Sequence, residues 1–176
     1  MTVLDKSAIE AALQRLPIGY RERTSGRTIG EGEFALLTDL TWTIGQFHTN
    51  AEYARSSPFG YPDRILGGPV LLALVSGQWS LGSHRRKIET LGGIRLGPAL
   101  GAEVRYRAPF FPGDTMYVET VLESARASQS KPGLGILVVA DTAINQRDEV
   151  GLETKRPITV WPAADSQPGA DGQASG

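Results

Sequence analysis

The sequence predicts an α+β fold in which an antiparallel sheet wraps around one central apolar helix. Two observations carry this expectation. The segment Pro69–Leu81, PVLLALVSGQWSL, is apolar on nearly every face, as a helix surrounded by protein should be. From Ala102 onward the apolar residues recur with period two, in runs separated by turn residues. One buried helix followed by a set of strands is the pattern of a helix packed on a sheet.

Taken in order, Ser7 and Glu10 have the S-x-x-E spacing of a capping box, and Ile9, Ala12, Leu13 and Leu16 recur at helical spacing until Pro17. A short N-terminal helix is expected there. Tyr20–Ile29 is polar with weak alternation, the pattern of an edge strand leading into a second helix over about Glu31–Thr41, with Phe34, Leu37, Leu40 and Thr41 on one face. Trp42–Tyr61 is rich in Gly, Ser, Thr and Pro and reads as a long ordered loop with one helical turn around Ala51–Arg55. Loops of that length inside compact domains are usually functional.

Gly67 and Gly68 precede the apolar helix, and Pro69 suits its first turn, where the missing N–H has no cost. Beyond it, Ala102, Val104 and Tyr106 alternate with Glu103, Arg105 and Arg107, and Met116, Val118, Thr120 and Leu122 alternate likewise. Ile136–Ile144 and Ile158–Val160 complete a set of about four strands. Pro112-Gly113-Asp114 and the PGLG at Pro132–Gly135 have turn chemistry. These elements make one domain over residues 1–162, and the tail AADSQPGADGQASG from Ala163, without a large apolar residue, is expected to be disordered.

Composition narrows the function classes. With 176 residues, 40% hydrophobic and 21% charged, the chain is ordinary globular protein. A net charge of -1 without a long basic block argues against nucleic acid as a partner, since phosphate binding draws on clustered Lys and Arg. Zero cysteines exclude disulfides, a thiolate nucleophile and thiolate metal ligands. Charges run through MTVLDKSAIEAALQRL, which has no apolar core of signal-peptide type, and no apolar run reaches the roughly 20 residues of a membrane span. A soluble cytoplasmic protein is the expectation.

His48 is one of only two histidines and stands between the second helix and the apolar one. It is either a structural histidine or a catalytic base, for which an imidazole titrating near working pH is suited. Gly67-Gly68 either permits a tight turn or exposes the first N–H groups of the helix to an anionic oxygen. The other histidine, His84, lies 36 positions away and opens the run His84-Arg85-Arg86-Lys87. Two such histidines without cysteine make no recognisable metal site. No G-x-S-x-G elbow, P-loop or dinucleotide fingerprint is present.

The ordered run from Thr28 and Glu31 through His48, Tyr53-Ala54, Phe59, Gly68 and Ser76, with the later Pro109, Pro112, Gly113, Asp114 and Thr115, resembles the MaoC-like family of hydratases and dehydratases. The resemblance covers about Gly26–Trp161 and implies a hot-dog fold acting on acyl thioesters of coenzyme A or acyl carrier protein. Coenzyme A enters as part of the substrate, and no separate cofactor is implied. It makes His48 the base, Gly68 the donor to the thioester oxygen and Ser76 a hydroxyl that orients the histidine, unless Ser76 bonds back to its own helix. Trp42 then packs over the acyl tunnel or in the core, Gly67 lines the substrate site, and Arg85 and Arg86 meet phosphates or form a solvated helix end.

One departure stands out. Counting back from His48, the family's catalytic aspartate falls at Thr43, its asparagine at Gly45 and its proline at Gln46. Thr43 can share a water with His48 but supplies no carboxylate, and losing one member of such a pair commonly reduces the rate about 10² to 10⁴-fold. Asp39, Glu52 and Asp63 are the acids near enough in sequence to substitute. The same loss also fits a degenerate partner subunit of a heteromer, and other hot-dog proteins hydrolyse thioesters. A homodimer or larger assembly is expected in each case, because a lone sheet of this kind leaves an edge open.

Overall fold

A computed structural model describes residues 6–163. The N-terminal helix, α1, spans Lys6–Gln14 and buries Ile9 and Ala12. Ser7 lies inside this helix, so the capping-box reading is corrected. The single edge strand is two short ones, β1 (Arg21–Arg23) and β2 (Arg27–Thr28), both paired with the same long strand. Helix α2 spans Glu31–Leu40 and buries Phe34 and Thr38, whereas Leu40 is 69% exposed. The helical turn expected around Ala51–Arg55 is α4 (Ala51–Ser56), capped by Asn50, which accepts from the Tyr53 N–H at 3.0 Å, and the rest of the segment read as a loop holds one more short helix, α3 (Gln46–Thr49).

The apolar helix, α5, spans Gly68–Leu81 and is followed by α6, Ser83–Gly92. Strand β3 (Ile94–Ala99) was not foreseen; β4 (Glu103–Tyr106), β5 (Thr115–Ala127), β6 (Gly135–Ile144) and β7 (Val150–Pro162) were, in whole or part. The sheet runs β1-β5-β6-β7-β3, all antiparallel, with β2 also on β5 and β4 also on β7.

Strand β7 is far longer than the three residues expected, because Arg156 and Pro157 interrupt its apolar pattern. Pro157 is tolerated where β7 changes neighbours: Glu103–Tyr106 pairs up to Lys155, and β3 pairs from Ile158. The Pro157 carbonyl accepts from the Leu100 N–H in that gap, so the missing N–H on the same edge breaks no ladder bond.

Helix α5 packs against the sheet. Val70, Leu71 and Val75 join Phe34, Phe110, Met116, Val118, Ala143 and Leu152 in one apolar cluster, while Trp79 joins a second with Leu122, Val139, Ile158 and Val160. Between the clusters runs a polar stratum of Thr120, Asp141, Thr154 and Arg156, all buried. The helix is less enclosed than its apolarity implied: Pro69, Ala73, Gly77 and Ser80 stand exposed along one side of the protomer. No described helix is long and apolar enough to cross a membrane.

Candidate active site

Helix α2 ends in a Schellman motif: the Trp42 N–H donates to the Asp39 carbonyl at 3.2 Å and the Thr43 N–H to Thr38 at 3.0 Å. Trp42 therefore occupies the left-handed position, with φ 54°, and is 82% exposed. It does not enter the core of the protomer, which corrects that alternative. Thr43 turns the chain back, and its hydroxyl bonds that of Thr41 at 2.8 Å.

The next turn presents His48 on α3. Its Nδ1 lies 2.7 Å from the Ile65 carbonyl oxygen, while the Ile65 N–H donates to the Phe47 carbonyl at 2.9 Å. A carbonyl only accepts, so Nδ1 carries the proton and the neutral ring keeps its lone pair on Nε2. Phe47 is packed edge-on by Tyr53, Phe59 and Tyr61, with ring centroids 5.0 to 6.1 Å apart, and Phe111 meets Tyr61 at 6.1 Å. This aromatic cluster holds the histidine-bearing helix against the rest of the fold.

Ile65 leads directly into the start of α5. The Leu66 N–H donates to the Phe110 carbonyl at 2.8 Å, and Gly67 is the N-cap. No side chain caps this terminus, and the Gly68 N–H belongs to the first turn, where no carbonyl of its own helix can accept from it. The positive end of the helix dipole lies there as well. His48 and Gly68 line one cavity of about 350 Å³, together with Tyr61, Tyr106, Phe110 and Gly151.

Of the other expected site residues, Gly67 and Thr43 touch each other beside this cavity but do not line it. The Ser76 hydroxyl accepts from Arg156 Nη1 at 3.1 Å, whereas His48 Nδ1 is held by Ile65; the structure does not bring Ser76 to the histidine. Nor is Ser76 bonded back to its own helix. The basic run is the start of α6 rather than the end of α5. In it His84 is buried and stacked on Tyr20, Arg85 faces Glu89 at 3.9 Å, Arg86 is exposed, and Lys87 pairs with Glu22 at 3.2 Å. Neither Arg85 nor Arg86 lines the His48 cavity.

None of Asp39, Glu52 and Asp63, nor any other carboxylate, lines the cavity among the described residues. Burial alone would raise the Asp63 carboxyl, but hydrogen bonds from the Arg64 backbone and guanidinium hold it below its ordinary value. Asp114, read as a turn residue, is more than that. Its buried carboxylate accepts from the Phe111 N–H at 2.9 Å, from Gln146 at 2.7 Å and from Arg147 at 2.8 Å, fixing the turn that carries Phe111.

The cavity also holds Tyr61 and Tyr106, which no local pattern marks as site residues. The alternation of Ala102, Val104 and Tyr106 marks Tyr106 as a strand residue and no more, and Tyr61 closes the segment read as a loop. The signal available for Tyr106 was a hydroxyl at the end of that row, immediately before the segment that supplies Phe110.

No protein-family model matches the sequence, and no curated protein matches it. Solved structures do. A MaoC-like dehydratase from Rhodospirillum rubrum is 24% identical over 85% of this chain and 96% of that one, with a TM-score of 0.68. An R-hydratase from Pseudomonas aeruginosa is 19% identical over 92% and 94%, with a TM-score of 0.61. A Mycobacterium tuberculosis protein with a double hot-dog fold is 20% identical, covering 92% of this chain and 51% of that one, with a TM-score of 0.71. The chain has the hot-dog fold, in the form shared with MaoC-like dehydratase and R-hydratase structures.

Proposed function

We propose that the protein adds water to a 2-enoyl thioester, or removes it from the 3-hydroxyacyl product, with the acyl group carried by coenzyme A or acyl carrier protein. The observation behind this reading is the shared cavity of His48 and Gly68, with His48 Nδ1 committed to the Ile65 carbonyl so that Nε2 faces its task as a base. In hydration, Nε2 takes a proton from water as the oxygen bonds to C3. The C2–C3 π electrons shift into the thioester, whose oxygen becomes anionic and is met by the Gly68 N–H. The imidazolium then returns its proton to C2, so one imidazole serves both transfers and the atoms of water are all accounted for. Dehydration is the reverse. No cofactor beyond the coenzyme A of the substrate is needed.

The absence of a carboxylate from the cavity supports a second reading, a partner subunit that binds an acyl thioester for a catalytic relative. It counts equally against thioester hydrolysis, which would need a carboxylate near the thioester carbonyl. The open side of α5 supports assembly as a homodimer or larger oligomer, or as a heteromer with a second subunit of this type.

Loss of enoyl absorbance on a panel of short, long and branched 2-enoyl-CoA substrates tests the proposal. Turnover that falls by about 10² or more in His48→Ala supports it. No turnover by folded wild type on any substrate, with acyl-CoA still bound, moves the conclusion to the partner subunit.

A further inference from the structure

We propose that the Tyr106 hydroxyl is the second donor to the thioester oxygen, acting beside the Gly68 N–H; this rests on the thioester reading above. Tyr106 ends β4, opposite Leu152 on β7, and its ring reaches across to the start of α5. A Cβ placed on Gly68 would lie 2.7 Å from Tyr106 Cζ, 2.8 Å from Cε1 and 3.1 Å from Cε2. The hydroxyl-bearing end of the ring is thus the part that meets the helix terminus. A side chain at position 68 would push the ring away from this place.

The hydroxyl makes no hydrogen bond among the described residues, although Tyr106 lines the same cavity as His48. The other polar groups there are less suited. The Arg107 guanidinium is committed to Glu153, with Nη2 at 2.7 Å and Nε at 2.8 Å from the same carboxylate oxygen. The Tyr61 ring is stacked on Phe59 at 5.5 Å and held edge-on by Phe47 and Phe111. With no carboxylate in the cavity, charge arising on the thioester oxygen is stabilised by donors alone, and one backbone N–H leaves an acceptor site unfilled. A phenol beside it supplies the second hydrogen bond without itself becoming charged, and none of its bonds breaks in the step.

Tyr106→Phe keeps the ring against Gly68 and removes only the donor. Expected is a fall in kcat of about 10²-fold on a short 2-enoyl-CoA, the size typical for one such donor, with KM within about threefold of wild type. The second readout needs no turnover: the infrared carbonyl band of butanoyl-CoA labelled with ¹³C at the thioester carbon. Binding to wild type should shift the band to lower wavenumber, and Tyr106→Phe should restore part of that shift. A band and a rate that do not depend on Tyr106, in an enzyme that turns over, overturn the hydrogen bond and leave hydration standing. A Tyr106-dependent band without turnover overturns hydration and leaves the hydrogen bond standing. Tyr61→Phe losing what Tyr106→Phe keeps would overturn the assignment, and failure to bind butanoyl-CoA overturns both readings.

Discussion

Thr43 fills the space that a side chain at Gly67 would need: a Cβ there would stand 2.4 Å from Thr43 Cγ2. The contact joins the turn after α2 to the cap of α5, and so sets the approach of the histidine-bearing segment to the helix terminus. Gly67 has φ -60° and ψ 136°, which any residue adopts, so its constraint is space and not backbone freedom.

Gly67→Ala is therefore expected to destabilise by about 1–3 kcal/mol, the range for overpacking a well-filled site. Thr43→Ser, which deletes the clashing methyl, should recover part of that loss. Denaturant unfolding of the two single variants and the double variant checks it, and additive effects would show that the two residues do not meet as described.

Trp42→Gly should act in the opposite direction. Trp42 sits at φ 54° in the Schellman motif with most of its side chain in solvent, where glycine avoids a left-handed penalty of about 1–2 kcal/mol. Higher unfolding stability of a dilute protomer is the expected outcome. Lower stability that appears only at concentrations where the protein assembles would instead place Trp42 in a subunit contact.

In the polar stratum under α5, Arg156 Nη2 and Nε lie 2.5 and 3.0 Å from Asp141 Oδ2, and Thr120 donates to Oδ1 at 2.7 Å. Both charged side chains are almost fully buried. Arg156→Met or Asp141→Leu alone leaves an unpaired buried charge and should destabilise by about 3–5 kcal/mol, whereas the double variant should lie near wild type or above it. Thermal unfolding of the three variants decides; a double variant no better than the worse single one would show that the pair stabilises the fold.

His84 predicts an acid-side loss of stability. His84 is 3% exposed and its ring is stacked on that of Tyr20 at 5.2 Å. Burial lowers its pKa, and the charges of Glu22 and Asp141 only partly offset this. The unfolded chain then binds the proton more readily than the folded one, so stability is full above the unfolded value of about 6.5 and declines as pH falls below it. In His84→Phe the slope between about pH 6.5 and 5 should flatten. An unchanged slope would assign it to other groups.

Much of the fold was legible because burial on a helix or strand follows a local period. Met116, Val118, Thr120 and Leu122 face inward as their alternation required, and the Gly68-Pro69 start of α5 was marked by residues suited to a first helical turn. Helix α4 matches the helical turn expected around Ala51–Arg55, whereas α3 was hidden because its stability comes from the aromatic cluster on Phe47 rather than from an amphipathic repeat.

By itself the sequence determined the class of fold, the central helix and the candidacy of His48 and Gly68, since each leaves a signature within a few residues along the chain. Tertiary structure alone decided what those groups meet. The Ser76 hydroxyl went to Arg156, 80 residues away, and Ile65 took the place at Nδ1 of His48. Tyr106 came to stand over Gly68 through the pairing of β4 with β7. Strand register and loop packing fix such contacts between distant segments, and neither is written in any local pattern.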